Sequence, residues 1–119
     1  MGYSIWPDGK TGDVLSEVNE ERNRQEELVR SGKFLFTCAS DNLSPARKLA
    51  ILAEEVGEAA KEVTDLDIEL DKVASFRMAP AARVECQQAA RKKYLGRLRK
   101  ELIQVAAVAV AWAESIEES

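Results

Sequence analysis

Four glutamates, Glu54, Glu55, Glu58 and Glu62, fall within nine residues, and Lys61 is the only cation among them. In a helix, Glu55 and Glu58 lie one turn apart on the same side. Like charges at that spacing cost a helix about 0.2–0.5 kcal/mol per pair, so helix propensity does not select them. A divalent cation would select them; a solvated acidic face is the plainer alternative, since Glu55 sits only at the edge of the apolar stripe. Glu101 is more telling. At 100° per residue it falls in the middle of a stripe made by Tyr94, Leu98, Val105, Val108 and Trp112. An unpaired carboxylate there costs several kcal/mol. Gln104 shares the stripe, and Lys93 and Arg97 lie on its edge. The stripe thus offers a carboxylate, an amide oxygen and two cations able to meet phosphate oxygens. An internal Glu–Lys or Glu–Arg pair is the alternative.

The rest of the composition narrows the chemistry. The 119 residues contain no histidine. That excludes a Ser–His–Asp triad, a Cys–His nucleophile, an HExxH zinc site and the Glu-x-x-His di-iron bundles. Any metal must be a hard one held by oxygen. Cys38 and Cys86 stand 48 positions apart without a CxxC partner, so neither a disulfide framework nor a zinc knuckle is expected. The ten residues 91–100 hold six cations and no acid. Only Tyr94 interleaves them, which is too little stacking surface for an RNA groove. With a net charge of −4 the chain is expected to bind no nucleic-acid polymer. An acidic helix facing a basic one instead suits a cation–polyphosphate pair, the cation on the carboxylates and the phosphates toward the lysines and arginines.

These residues require long helices to carry them. Residues 1–12 (with Pro7, Gly9 and Gly12) read as an irregular arm of a single domain spanning 1–119. Asp13 is placed to cap a first helix reaching Arg30, with Val14, Leu15, Val18, Leu28 and Val29 as sparse apolar positions. Ser31-Gly32 ends it. Phe34-Leu35-Phe36, in the connection that follows, is expected to pack down onto the helices. Ser44-Pro45 combines a cap with a proline at the first helical position. Leu49, Leu52, Val56, Ala59, Val63, Leu66 and Leu70 then recur at steps of three and four. The stretch 71–80 carries no clear signal. A last helix is expected from near Pro80 almost to the C-terminus.

Nothing alternates with period two, so the fold class is all-α. The run Ile103–Ala113 is apolar on every side and calls for cover all round, most simply from a second subunit completing a helical bundle across a two-fold axis. Cover by the chain's own N-terminal arm is the other solution. That run is far below the ~20 residues of a membrane span. The first ten residues lack the basic start and apolar core of a signal peptide. A cytoplasmic protein without membrane partners is expected.

The string LAILAEEVGEAAKEV, followed by LRKELIQVAAVAVAW, resembles the MazG-like all-α nucleotide pyrophosphohydrolases, whose signature is Glu-Glu-x-x-Glu on one helix and Glu-x-x-Asp on the next. Glu54-Glu55-Val56-Gly57-Glu58 matches the first half; Glu101-Leu102-Ile103-Gln104 matches the second except that Gln104 replaces the Asp. Upstream, Glu20-Glu21-Arg22-Asn23-Arg24-Gln25 looks like the Glu-Arg-x-Arg-Gln segment of small phage- and cassette-type members. The likeness covers about residues 14–30, 46–64 and 97–116. A further departure is the 42 residues between Glu58 and Glu101, more than is usual in the family.

The resemblance implies Mg²⁺-dependent hydrolysis of nucleoside triphosphates to monophosphate and pyrophosphate, as house-cleaning of non-canonical nucleotides, with Mn²⁺ a possible substitute. It implies metal ligands at Glu55, Glu58, Glu101 and Gln104. Glu54 would hold a second metal or orient the attacking water, so that Glu54 and Glu55 are the catalytic pair. Lys93, Arg97 and Lys100 would meet the pyrophosphate charge, and the first helix and residues 34–36 would contribute to the base pocket. It also implies a homodimer or a dimer of dimers. Two other readings are a nucleotide-binding or regulatory homologue with weakened catalysis, and a plain helical dimerisation module.

Overall fold

The computed structural model describes residues 9–117, which form three α-helices: α1, Lys10–Arg30; α2, Pro45–Ser75; and α3, Pro80–Glu117. There is no strand among the described residues. The all-α expectation therefore holds. Residues 1–8 of the expected arm lie outside the described residues, while 10–12 belong to α1.

Local chemistry sets most of the helix ends. Gly9 at φ 86° leads into α1, and no side chain caps it. Asp13 is consequently not the cap that the sequence suggested. It lies in the first turn, where its backbone N–H donates to the Gly9 carbonyl at 3.1 Å and its charge suits the positive end of the helix dipole. The other end is as expected. Gly32 takes φ 84°, and the N–H groups of Gly32, Lys33 and Phe34 turn back onto the carbonyls of Val29 and Leu28. Ser44 caps α2, its hydroxyl accepting from the Arg47 N–H at 3.3 Å, and Pro45 occupies the first helical position. The uncertain stretch 71–80 resolves into the end of α2 and a connection of four residues, 76–79. Pro80 opens α3 as expected.

The described chain divides into two compact units. One holds the chain up to Glu54 together with the stretch from Ile103 onward. Its core joins Cys38, Val108 and Ala111, with Ala39, Ile51, Leu52 and Trp112 packed against them. One side of the apolar end of α3 is thus covered by the 31–44 connection and the start of α2. The other side stays open: Ala109, Val110 and Ala113 are exposed. The connection does not pack as expected either. Phe34 and Leu35 are exposed, Leu35 to 89%. Thr37, Cys38 and Leu43 are the buried residues, because the Thr37–Ser40 turn closes on its own side chains and draws that part inward. Phe36 lies under the Arg47 guanidinium, 5.8 Å from the ring centre.

α1 is weakly apolar, and its buried line is Val18, Arg22 and Gln25. Burial of Arg22 is tolerated because its guanidinium donates hydrogen bonds from all three nitrogens. It donates to Glu26 at 2.7 Å, to Glu114 of α3 at 2.8 Å, and to the Gln25 oxygen at 3.2 Å. Glu26 also accepts from the Thr37 hydroxyl at 3.1 Å, which ties the connection to α1.

The second unit, Glu55–Leu102, is a helical hairpin. Along α2 its inward positions run Glu55, Ala59, Glu62, Leu66, Glu69 and Val73, at steps of four and three. Val56 and Val63, expected on the inward stripe, are instead exposed. The seam keeps Ala59 and Leu66 from the apolar stripe but takes Glu55 and Glu62 in place of Val56 and Val63, a turn of less than one residue. On α3 the matching line is Arg83, Gln87, Ala90, Tyr94, Leu98 and Glu101. Its last three members are as the periodicity requires.

Candidate metal centre

Turning the α2 seam brings acids to the hairpin interior. Glu55 and Glu58 project from one turn of α2, Glu101 from the facing stretch of α3, and one carboxylate oxygen from each lies within 4.8 Å of the others. Glu55 and Glu101 are half-buried, while Glu58 is exposed. Burial pushes the Glu101 carboxyl above its ordinary range. A hydrogen bond shared with Glu58 and the negative charges of Glu58 and Glu62 push it the same way. One Glu101 oxygen, Oε2, is shut away from solvent with no hydrogen-bond partner. Glu62 Oε2 is in the same condition. Lys61 does not lie across the acids. It pairs with Asp65 at 2.9 Å, along its own helix.

An all-oxygen donor set with a desolvated, unpartnered oxygen fits a hard divalent cation. A cation on the trio would answer both the mutual repulsion and the orphaned acceptor. The acids would have to be ionised to hold it, so a cation would act against the upward shift of Glu101.

The remaining predicted site residues fall into three groups. Glu54, next to Glu55 on α2, is exposed and is not one of the three that converge. Gln104 is half-buried and hydrogen-bonds the Glu21 carboxylate, which also accepts from Arg24 at 2.9 Å. Burial raises Glu21, but these hydrogen bonds and the Arg24 charge more than offset it and hold the carboxyl below its ordinary range. Lys93 and Arg97 are exposed and flank Tyr94, at 5.2 and 5.6 Å from its ring centre. Lys100 is exposed one residue before Glu101.

Sequence reasoning named Glu62 in the acidic cluster and Glu21 in the upstream motif but gave neither a role of its own. Glu62 had a readable signal: it follows Glu55 by seven residues, two helical turns on the same face. Glu21 had none, because its partner Gln104 is 83 residues away in the chain.

Comparison with protein families, with curated proteins and with solved structures finds no match to this chain. Among the described residues no helix is long and apolar enough to cross a membrane.

Proposed function

We propose that this protein hydrolyses nucleoside triphosphates to the monophosphate and pyrophosphate, in the manner of the MazG-like enzymes that its motifs resemble, with Mg²⁺ held by Glu55, Glu58 and Glu101. One observation carries the reading: three carboxylates from two helices converge, one oxygen of each within 4.8 Å of the others, and Glu101 has a second feature, an Oε2 shut from solvent without a partner. Patterning alone would turn Val56 and Val63 inward, and the hairpin turns Glu55 and Glu62 inward instead. A site that must gather negative charge accounts for that choice.

Mg²⁺ binds through a few carboxylates together with substrate phosphates and keeps several waters. When bound, it would offset the charge developing on the triphosphate and lower the pKa of a bound water. Glu55, Glu58 and Glu101 fix where that charge is offset. Lys93, Arg97 and Lys100, exposed along α3, serve the pyrophosphate oxygens as cations. The roles that the resemblance assigns to Glu54 and Gln104 belong to the proposal but carry none of it. Mn²⁺, with the same preference for oxygen, substitutes for Mg²⁺.

The proposal includes self-association as a homodimer or a dimer of dimers. In the Glu55–Leu102 hairpin only Ala59, Val73 and Ala90 are buried apolar residues, whereas Val56, Val63, Ile68, Leu95 and Leu102 are exposed. A second copy is the occupant that suits these exposed apolar side chains. House-cleaning of non-canonical nucleotides in the cytoplasm is the setting that this chemistry fits.

The test is release of pyrophosphate from a panel of canonical and modified nucleoside triphosphates with Mg²⁺. Pyrophosphate and monophosphate should appear in equal amounts, and Glu58→Gln or Glu101→Gln should abolish both. Stabilisation by nucleotide without cleavage would mean a binding homologue. No response to nucleotide at all would leave a dimerisation module.

A further inference from the structure

The exposed apolar residues of the Glu55–Leu102 hairpin are not scattered around it. At about 100° per residue, Val56 and Val63 lie roughly 80–100° round α2 from its inward line. Val84, Leu95 and Leu102 lie at about the same offset, in the same sense, round α3. The short connection 76–79 makes the two helices antiparallel. Equal offsets in one sense on antiparallel helices fall on one side of the plane that the helices share. Val56, Val63, Val84, Leu95 and Leu102, exposed by 45% to 52%, therefore form a single apolar face. Glu58, Lys61, Asp65, Lys93, Arg97 and Lys100 are offset in the opposite sense, so the other side of the hairpin is charged.

Two exposed charges border the apolar face, one on each helix. Asp67 follows Val63 by four residues on α2, and Arg91 precedes Leu95 by four on α3. Neither has an ion pair among the described residues. Their heights along the hairpin nearly coincide. Glu55 meets Glu101 across it, which sets Asp67 level with Ala89. Arg91 is two residues from that level, about 3 Å at 1.5 Å per residue.

We infer that this face docks a second copy of the chain, with α2 of each protomer against α3 of the other about a two-fold axis parallel to the helices. Such an axis keeps every residue at its own height, so Asp67 of each copy comes opposite Arg91 of the other, and the valines and leucines close over one another. An axis across the helices would set α2 on α2 and α3 on α3, and neither charge would meet its opposite. Charge complementarity selects the first arrangement. Ile68, though exposed, lies on the far side of α2 and stays outside the contact. The inference rests on the self-association proposed above and gives it a surface; it requires neither cation nor nucleotide.

Sedimentation of the intact protein in EDTA, without nucleotide, tests this. Wild type should run as a dimer or a tetramer. Val63→Lys and Leu95→Lys should each halve that mass while circular dichroism shows the helix content kept, and Ile68→Lys should leave the mass unchanged. Asp67→Arg alone and Arg91→Asp alone should each weaken association at least about tenfold, because like charges then meet twice per pair of copies. Mixing these two variants should restore it, since each supplies the charge that the other lacks.

A monomeric wild type overturns the interface and the self-association together, and leaves the face to residues 1–8 or to a different protein. Unchanged mass in Val63→Lys and Leu95→Lys overturns the face and leaves self-association standing. Halving by these two with no effect of either charge reversal overturns the pairing of α2 with α3. Halving by Ile68→Lys as well would make added charge, not position, the cause and overturn the face too. Pyrophosphate release from nucleotide with Mg²⁺, read on the same preparations, reports on the hydrolase reading separately.

Discussion

Replacing Glu101 by Gln should stabilise the cation-free protein. Glu101 has two carboxylate neighbours, Glu55 and Glu58, with oxygens within 4.8 Å. Two unit charges at that separation repel by about 0.9 kcal/mol in a water-like dielectric and by about 3.5 kcal/mol at an effective value of 20. Glu58 is exposed and lies near the lower figure; Glu55 is half-buried and lies between them. The sum is roughly 2–4 kcal/mol. It has a ceiling, because a carboxyl can escape repulsion by taking up a proton, which at pH 7 costs about 3.7 kcal/mol from an ordinary pKa near 4.3. The amide removes the charge, and its NH₂ can donate to Glu58. A gain of about 2 kcal/mol at pH 7 follows, or about 8 °C in melting temperature at roughly 4 °C per kcal/mol for a domain of this size. Thermal unfolding in EDTA at matched protein concentration measures it. The pH dependence has a definite sign. A carboxyl raised in the folded state destabilises fully above its folded pKa, and the penalty vanishes below its unfolded value. The advantage of Glu101→Gln should therefore shrink as pH falls from 7 toward 4. Added Mg²⁺ should raise wild type and leave the variant unmoved. A variant no more stable than wild type in EDTA at pH 7 would refute the repulsion argument.

Arg22→Met should cost about 2 kcal/mol, read as a lower urea midpoint. The side chain is 7% exposed, but its partners Glu26 and Glu114 are 40% and 49% exposed and can rehydrate, so the loss falls below that of a fully buried pair. A change under about 0.5 kcal/mol would contradict the network. Glu21 and Glu26 are both held below the ordinary carboxyl range. For Glu26, burial acts upward but is outweighed by hydrogen bonds from Arg22 and Thr37 and the charges of Arg22 and Arg30. Their contribution is present above the ordinary carboxyl pKa and is lost as pH falls through the lowered values, so stability should drop below about pH 4. Because Glu101 acts in the opposite sense, the cation-free stability profile should peak at mildly acidic pH, and a profile that rises steadily to pH 7 would contradict this. Gln104→Asp sets a second carboxylate against Glu21 and should cost roughly 1–2 kcal/mol at pH 7, recovering in acid. If the substitution instead leaves stability intact and lowers the Mg²⁺ concentration needed for hydrolysis, the Gln104 side chain serves the cation rather than Glu21.

What could be read from the residues alone was local. Ser44-Pro45, Gly32 and Pro80 mark helix ends through caps, fixed φ and left-handed backbone, all decided within a turn of chain. The absence of histidine removed imidazole catalysis and imidazole metal ligands from consideration, because side-chain type does not depend on the fold. The α3 stripe through Leu98, Glu101 and Val108 was legible as well, since one helix carries its own period of 3.6. Only the tertiary structure chose which face of α2 turns inward. Apolar periodicity favoured Val56 and Val63, and the hairpin took Glu55 and Glu62, a turn of less than one residue that no single helix can decide. The same holds for Arg22, whose burial requires a carboxylate 92 positions away at Glu114 to neutralise it. It holds for Gln104 too, whose hydrogen bond to Glu21 forms only when α1 meets α3. Pairings between distant segments are set by what each surface finds opposite it, and a linear pattern contains one side of that contact at a time.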